Sequence, residues 1–382
     1  MTKPYLFKPV ALLVLTSLLL TACTPKATAT QPPIKKINPV TGFECPEPEP
    51  RMDVTSKEFN LFVWTEYVPL DMIACFELVY DLKVNRTDYS ADEDMEARLA
   101  SGTAEYDLVQ PSDYFVGSMI RNSEIQELDH SRLTNMVNID PTWMNQHFDP
   151  GNKYTLPYLA GTDGIVVNSA RVKTIPKSWA DLWNPEYARR MVFLDEPRAV
   201  IGITLLTLGF DPNTKDPDQL DQAKTKLAEL IPNIKSFDSD SPEVALSDNF
   251  VDLGVTSTFG AVPAQQEVSS VKYIYPTEGA IVWQDNWAIP KNAPHLDAAY
   301  AWLNYSMQGN IFWLTLRDFA YTNPNKSALE YVKEYQTDVY DNYFDSPITN
   351  PPADVIANGH RLEDIGDAEI LYDQIWMDLR GQ

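Results

Sequence analysis

Acidic side chains occur at four places in the sequence directly after a short apolar segment, and at three of them aromatic residues accompany the acids. These clusters are Trp64-Thr65-Glu66-Tyr67, Ser112-Asp113-Tyr114, Asp195-Glu196 and Trp283-Gln284-Asp285. Carboxylates pair with ammonium groups through charge-assisted hydrogen bonds, and aromatic faces attract the same cations. A buried ammonium without such a partner is very costly. Taken singly, each cluster also fits core rings beside helix-capping acids, but the four together predict a site for a small organic cation.

Other kinds of functional site have no matching pattern in the sequence. We find no phosphate-binding loop, dinucleotide-binding glycine motif, serine-hydrolase elbow or zinc-protease motif. The four histidines lack metal-ligand spacing; they are His130, His147, His295 and His360. We therefore predict neither a metal ion nor a cofactor.

A carboxylate pair is the one enzymatic arrangement that these acids allow. Asp195-Glu196 together with Asp285 would supply the two acids of a glycoside hydrolase, and acidic clefts lined by aromatic rings do bind sugars. This alternative predicts glycan turnover that Glu196→Gln abolishes. A binding protein, which is the interpretation that we prefer, catalyses no turnover of glycans or other ligands.

The elements that must position the clusters alternate between strands and helices. Strands are predicted at residues 61–64, 107–109, 164–167, 192–194 and 280–282. Helices are predicted after Pro69, over residues 220–230 and around residues 296–303, where apolar residues recur every three or four positions. This alternation predicts an α/β fold, and ligands in such folds bind beyond the carboxyl ends of strands. The roughly 325 residues concerned exceed what one core usually organises, which favours two lobes.

The first residues are typical of a bacterial lipoprotein signal. Lys3 and Lys8 precede an apolar run at residues 9–20, and small residues precede Cys23. Because the run is too short to span a bilayer comfortably, we predict a signal peptide at residues 1–22 and a lipid on Cys23 as the only membrane attachment. Residues 23–56 are rich in proline, threonine and lysine, and are predicted to form a flexible tether.

The export signal predicts a periplasmic or other extracytoplasmic location. With Cys23 lipidated, Cys45 and Cys75 remain as an even pair in an oxidising compartment. A disulfide between them and two free thiols are both compatible with this count. The disulfide would join the tether to the first helix of the folded part.

The chain is strongly acidic, with a formal net charge of −24 that becomes −26 when the leader is removed with Lys3 and Lys8. Nucleic acids and anionic membrane surfaces require basic patches, so we exclude both as partners. The acidity is compatible with a cationic ligand, although solubility is the more common reason for it.

Six stretches of the sequence resemble the spermidine/putrescine-binding proteins of bacterial ABC importers. They are WTEYVP (64–69), YDLVQPSDYFV (106–116), FDPGNKYTLPYLAGTDGIVVN (148–168), SWADLWNPEY (178–187), WQDNWAIP (283–290) and YTNPN (321–325). The resemblance implies a two-lobe periplasmic-binding-protein fold of type II, with a hinge near Ala160-Gly161 and Trp287-Ala288. The implied lobes are residues 57–162 with 287–333, and residues 163–286 with 334–382.

The resemblance also implies that the lobes close around one polyamine and deliver it to ABC permease subunits. The matching ligand-binding positions are Trp64, Thr65, Tyr67, Ser112, Tyr114, Glu196, Trp283 and Asp285. Glu66, Asp113 and Ser257 complete the set of residues that we predict to contact the ligand.

Four positions depart from the family pattern. The family has a second acid at Ala199, a tryptophan at Ser257 and a glutamine at Leu362, while Asp113 adds an acid where relatives can be neutral. These changes leave open a polyamine of different length or another organic cation. They also leave open a lipoprotein that acts as a sensor or adaptor without transport, whereas neighbouring genes for a permease and an ATPase would favour transport.

Overall fold

A computed structural model of the chain describes residues 1, 35–65, 67–90, 92–102, 105–239 and 241–380. The predicted signal peptide and Cys23 lie outside these residues. Contacts divide the chain into residues 1–35 and residues 36–382, and the described helices and strands all belong to the second unit. No helix in the described ranges is both long enough and apolar enough to cross a bilayer.

The strands and helices alternate along much of the chain, as the sequence predicts. The strands are β1 (Lys36–Ile37), β2 (Glu44–Cys45), β3 (Glu58–Trp64), β4 (Lys83–Tyr89), β5 (Leu108–Val109), β6 (Thr155–Asn168), β7 (Met191–Phe193), β8 (Ile234–Phe237), β9 (Leu253–Ser257), β10 (Val271–Ile274) and β11 (Ile281–Ala288). The helices are α1 (Leu70–Tyr80), α2 (Asp92–Ala100), α3 (Asp113–Arg121), α4 (Pro197–Thr207), α5 (Pro217–Leu230), α6 (Pro242–Ser247), α7 (Thr258–Glu267), α8 (Leu296–Ser306), α9 (Gly309–Phe312), α10 (Leu314–Asp318), α11 (Lys326–Tyr335), α12 (Thr337–Asp345), α13 (Ala353–Asn358) and α14 (Glu369–Arg380).

Strands β3 to β11 form one mixed sheet in the order β4-β3-β5-β11-β6-β9-β7-β8, with β10 paired to β6. Two blocks of the sheet are parallel: β3 with β4 and β5, and β7 with β8 and β9. Between the blocks run the long strands β6 and β11, which are antiparallel to each other. The predicted α/β class is confirmed, and this pair of crossing strands connects the two blocks.

Each parallel block has its own hydrophobic core. Phe59 and Trp302 belong to the first core, and Phe193 and Leu227 belong to the second. All fourteen residues of β6 are buried, because this strand passes between the two halves of the molecule. Burying one such apolar side chain contributes about 1.5–3 kcal/mol, so each half has a substantial driving force of its own.

One part of the predicted lobe division needs correction. Val339, Tyr340 and Ile356 pack against the first core, although we predicted residues 334–382 to belong with the second lobe. Helix α12 follows α11 after one residue, and consecutive elements usually stay adjacent in space. Leu362 and later residues such as Tyr372 join the second core. The rest of the lobe division stays a prediction.

The predicted flexible tether is also wrong for residues 36–56. Strands β1 and β2 pair with each other, and Cys45 forms a disulfide with Cys75 of α1. Asn38 Nδ2 donates a hydrogen bond of 2.7 Å to the buried Asp71, and Arg51 Nη2 donates one of 2.6 Å to the Val79 carbonyl. Composition missed this order because a disulfide, polar contacts to α1 and a few scattered apolar side chains (Phe43, Met52 and Val54), rather than a periodic apolar pattern, hold the segment.

Candidate ligand-binding site

The candidate site lies where the parallel strands of both blocks end over the crossing strands. Trp64 ends β3, and Ser112 is the N-cap of α3, just after β5. Glu196 is the N-cap of α4, just after β7, and Ser257 ends β9. The parallel register brings the ends of neighbouring strands to one edge, so the loops from both blocks converge on β6 and β11.

Asp285 on β11 is the best-connected acid of this region. Its carboxylate accepts a hydrogen bond of 2.6 Å from Tyr67 Oη and one of 2.9 Å from Ser112 Oγ. The side chain is only 7% exposed. Burial raises the pKa of Asp285 to about 7, against the opposing effect of the two hydrogen bonds. This carboxyl therefore keeps its proton to a much higher pH than an ordinary aspartate does.

Three further carboxyl groups have raised pKa values. Burial, followed by repulsion from Asp285, raises the pKa of the buried Asp92 well above its usual range. Burial, followed by repulsion from Glu196, does the same for the pKa of the buried Asp163. Glu196 itself remains exposed to solvent, but desolvation by the surrounding residues and repulsion from Glu93 and Asp285 raise its pKa. All three shifts mean that negative charge here is poorly compensated.

We call Asp92, Asp163, Glu196 and Asp285 the acidic cluster. Within the described residues, none of these four carboxylates forms an ion pair with lysine, arginine or histidine. No group of three or more His, Cys, Asp and Glu side chains in that part of the chain is arranged to hold a metal ion. Among the described residues, the cluster is thus a set of acids without a counter-charge.

Aromatic side chains lie beside these acids, since Tyr67 bonds to Asp285 and Trp283 bonds to Asp163. Trp64 lies 4.7 Å from the ring of Tyr89, and its indole Nε1 donates to the Gln110 carbonyl. The ring of Tyr321 lies 5.0 Å from Tyr67 and 5.9 Å from Trp283, edge to face in both pairs. Such rings can cover methylene groups and attract an adjacent cation by about 0.5–2 kcal/mol per contact.

Gly161 on β6 determines where the Trp283 indole lies. A Cβ atom at this position would stand 2.2 Å from Cζ2 of Trp283, which is far inside van der Waals contact. The absence of a side chain at Gly161 leaves room for the indole close to the backbone of β6. Its Nε1 then donates a hydrogen bond of 3.2 Å to Asp163.

Comparison with known proteins identifies the family. Residues 104–326 match the profile described as bacterial extracellular solute-binding protein. The spermidine/putrescine-binding periplasmic protein 1 of Haemophilus influenzae is 35% identical over 323 residues, which cover 84% of this chain and 88% of that protein. The chain belongs to this family of bacterial extracellular solute-binding proteins, as a divergent member of its polyamine-binding branch.

Solved structures of family members share the fold of this solute-binding protein. A spermidine/putrescine ABC transporter protein from Listeria monocytogenes superposes with a TM-score of 0.78 at 27% identity, covering 85% of this chain and 99% of its own. The TpPotD lipoprotein of Treponema pallidum gives a TM-score of 0.75 at 27% identity, covering 85% of this chain and all of its own. The fold is therefore the two-lobe type II fold that the sequence resemblance implies.

Four of the eleven predicted ligand residues of this solute-binding protein are brought together by direct contacts. The hydrogen bonds and ring contacts above connect Tyr67, Ser112, Trp283 and Asp285. The exposed Thr65 instead donates its hydroxyl to the Tyr89 carbonyl. Glu66 lies outside the described residues.

Three other predicted ligand residues have different surroundings. Asp113 forms an ion pair of 2.9 Å with Arg361, so the added acid already has a cation. Burial raises the pKa of Asp113 to about 6, and Arg361 limits the rise. Tyr114 is half-buried against the second core. Ser257 is buried, and its Oγ has no hydrogen-bond partner in the described part of the chain.

The positions that depart from the family pattern also have a structural account. Ala199 and Leu362 are both buried in the second core, where neither supplies a polar group to the site.

Asp195, which the glycoside-hydrolase alternative paired with Glu196, forms an ion pair with Arg380 of α14.

Four residues of the site were absent from the predicted set, namely Tyr89, Asp92, Asp163 and Tyr321. Asp163 carries a sequence signal, since an acid inside the apolar segment T-D-G-I-V-V is unusual unless it has a function or a partner. Tyr321 opens the quoted YTNPN stretch, but nothing local marks its ring as part of a site. Tyr89 and Asp92 belong to β4 and α2, which only the tertiary fold brings beside Asp285.

Proposed function

We propose that this chain binds a polyamine between its two lobes and serves as the extracytoplasmic solute-binding component of an ABC importer. Family membership supports the role of solute carrier, and the relative from Haemophilus influenzae is by its name a spermidine/putrescine-binding protein. The observation that carries the proposal is the acidic cluster, whose carboxylates have no ionic partner among the described residues.

An organic polycation is the ligand that best compensates the negative charge of this site. Burying an ionised carboxylate without a counter-charge is energetically unfavourable. This unfavourable free energy is the reason why the pKa values of Asp92, Asp163 and Asp285 are raised. An ammonium group that enters the site supplies the missing counter-charge together with several N–H donors. The methylene segments of the same molecule need apolar cover, which Trp283 and Tyr321 provide. A neutral sugar would leave the acids unpaired, and an anion would be repelled.

Lobe closure is the step by which binding removes the ligand from water. We assign lobe 1 to residues 57–162 with 287–333 and lobe 2 to residues 163–286, and the strands β6 and β11 run between them. The segment after residue 334 is shared, as its packing on both cores requires. A ligand favours the closed form only through contacts that the open form lacks. Tyr67 of lobe 1 and Asp285 and Glu196 of lobe 2 are suited to such contacts, and the closed form would then dock on the permease.

A ligand screen tests the proposed function directly. Thermal-shift measurements with putrescine, cadaverine, spermidine, spermine, agmatine and several neutral sugars should show stabilisation by polyamines alone. A ligand at 100 times its Kd adds about 2.7 kcal/mol to the free energy of unfolding, which is readily detected. Isothermal titration calorimetry should then give a micromolar or lower Kd, equivalent to about 8 kcal/mol or more. Stabilisation by a sugar, or turnover of a glycan, would contradict the proposal.

Transport separates the importer from the sensor or adaptor alternative. A strain that lacks this protein should take up less of the polyamine that the purified protein binds. Binding with unchanged uptake would instead favour the sensor or adaptor.

We also propose that a lipid on Cys23 anchors the protein to the membrane. The lipoprotein-type residues that end at Cys23 support this, and the solved relative from Treponema pallidum is described as a lipoprotein. Two or more acyl chains suffice for stable anchoring. Wild type should be recovered in the membrane fraction, whereas Cys23→Ser should leave it. Cys45→Ser is the matched control and should stay in the membrane fraction; equal distribution of all three proteins would refute the anchor.

A further inference from the structure

Asp163 is a buried acid that the predicted ligand set does not include. It lies on β6, is 4% exposed, and within the described residues accepts a single hydrogen bond, from Trp283 Nε1. Its register partners are Ile281 on β11 and Ser257 on β9. Residues directly opposite each other in neighbouring strands project from the same face of the sheet, so Asp163, Ser257 and Trp283 share the face that carries the site.

Ser257, the register partner of Asp163 on β9, supplies an independent observation. The residue is 7% exposed, and its Oγ has no hydrogen-bond partner in the described ranges. A buried hydroxyl without a partner costs about 1–3 kcal/mol, so such groups are normally satisfied by protein, water or ligand. An acid and a free hydroxyl therefore stand side by side on the same face.

We propose that Asp163 and Ser257 Oγ form a second ammonium subsite, and that this subsite selects a triamine over a diamine. The inference rests on the proposed polyamine function, and it concerns the length of the ligand. One terminal ammonium pairs with Asp285, and the other pairs with Asp163. The Trp283 indole, which contacts Asp163 and lies between the two acids in the register, covers the methylene chain.

The strand register measures the separation of the two acids. Asp285 stands opposite Leu159 of β6, four residues before Asp163. At about 3.4 Å per residue this separation is roughly 13 Å along the strand. A staggered chain of single bonds advances roughly 1.25 Å per bond, which puts the terminal nitrogens of spermidine roughly 11 Å apart and those of putrescine roughly 6 Å apart. The triamine spans the two acids, while the diamine reaches only one.

A purely structural role for Asp163 makes a different prediction. If the acid only orients the Trp283 indole, asparagine should replace it, because its amide oxygen also accepts the Nε1 hydrogen bond. Asp163→Asn therefore keeps this contact and removes the charge alone. Ser257→Ala removes only the hydroxyl.

Calorimetric titration of wild type, Asp163→Asn and Ser257→Ala with spermidine and with putrescine tests the inference. Asp163→Asn should weaken spermidine about 10- to 100-fold and change putrescine affinity by no more than about threefold, because only the longer amine reaches this subsite. Ser257→Ala should weaken spermidine by a smaller factor, again without affecting putrescine. Asp252→Asn, at an acid that pairs with Arg171 and Arg190 instead, should change neither affinity.

The outcomes separate this inference from the proposed function. If wild type binds both amines and Asp163→Asn weakens both equally, or neither, the second subsite is refuted while polyamine binding stands. If wild type binds neither amine, both the proposed function and the second subsite are refuted. Melting curves of each variant without ligand establish that it is folded.

Discussion

Replacing Asp285 by asparagine is expected to weaken polyamine binding by about 100-fold. The ligand ammonium loses a charge-assisted hydrogen bond and meets an amide in a site that is closed to water, a loss of about 1.5–3 kcal/mol. The geometry of the apo site should persist, because the asparagine oxygen still accepts from Tyr67 Oη. Calorimetry with the best polyamine of the screen measures the change, and an unchanged Kd would show that Asp285 does not contact the ligand.

The same substitution should make the unliganded protein more stable. The pKa of Asp285 is about 7 in the folded chain, well above the ordinary aspartate value of 3.8, so ionisation disfavours the folded state. This cost is absent below about pH 4, grows as the pH rises towards 7, and stays constant above it. At 1.36 kcal/mol per pKa unit the full effect is at most about 4 kcal/mol. Asp285→Asn should therefore raise Tm at pH 8 but not at pH 4.

Asp252→Asn provides the matched control with the opposite sign. Although burial acts to raise it, hydrogen bonds from Arg171 and Arg190 lower the pKa of Asp252 overall. Its ionised form therefore stabilises the folded state, and the asparagine variant should lose stability at pH 8. A lower Tm for Asp285→Asn at pH 8 would mean that this acid is a structural residue rather than a ligand group.

The affinity of the wild type should depend on pH through the same carboxyl. An ammonium pairs with ionised Asp285, so binding must remove the proton that the group carries at lower pH. We expect affinity to fall by about tenfold for each pH unit below 7 and to level off above it. Titrations in two buffers of different ionisation enthalpy should show proton release at pH 6 that Asp285→Asn reduces.

Reducing the Cys45–Cys75 disulfide is expected to lower the free energy of unfolding by about 4 kcal/mol. The two cysteines are 30 residues apart, and closing a loop of that length restricts the unfolded chain by this amount in the chain-entropy description. The bond also holds residues 36–56 on α1, where Asp71 and Val79 accept their hydrogen bonds. Urea denaturation of the oxidised protein with and without reductant measures the difference.

A double variant separates the bond from other effects of the reductant. Cys45→Ser with Cys75→Ser should match the reduced wild type and should not respond to reductant. If the oxidised wild type and the double variant have the same urea midpoint, the disulfide contributes no stability. Cys23 takes no part in the comparison when the protein is produced without its first 34 residues.

Local sequence pattern was sufficient to predict many of the elements. Pro69 marks the start of α1, and the apolar spacing of residues 220–230 corresponds to α5. Both follow from short-range rules, since proline fixes φ and a helical period of 3.6 gathers apolar residues on one face. The full length of β6 was not predicted, because a strand buried on both faces lacks the alternation that identifies strands.

The sequence by itself determined the chemical character of this protein, and the tertiary structure decided which groups act together. Acids and rings that follow strands predict an organic-cation site, because side-chain type and strand position are local properties. Pairings between distant residues are not local. Asp113 pairs with Arg361, 248 positions away, so its carboxylate already has a positively charged partner. Asp163 gains a place in the site only because β9 and β11 flank β6 in register. Burial and charge compensation depend on such long-range contacts, and they distinguish an acid that awaits a ligand from one that is already paired.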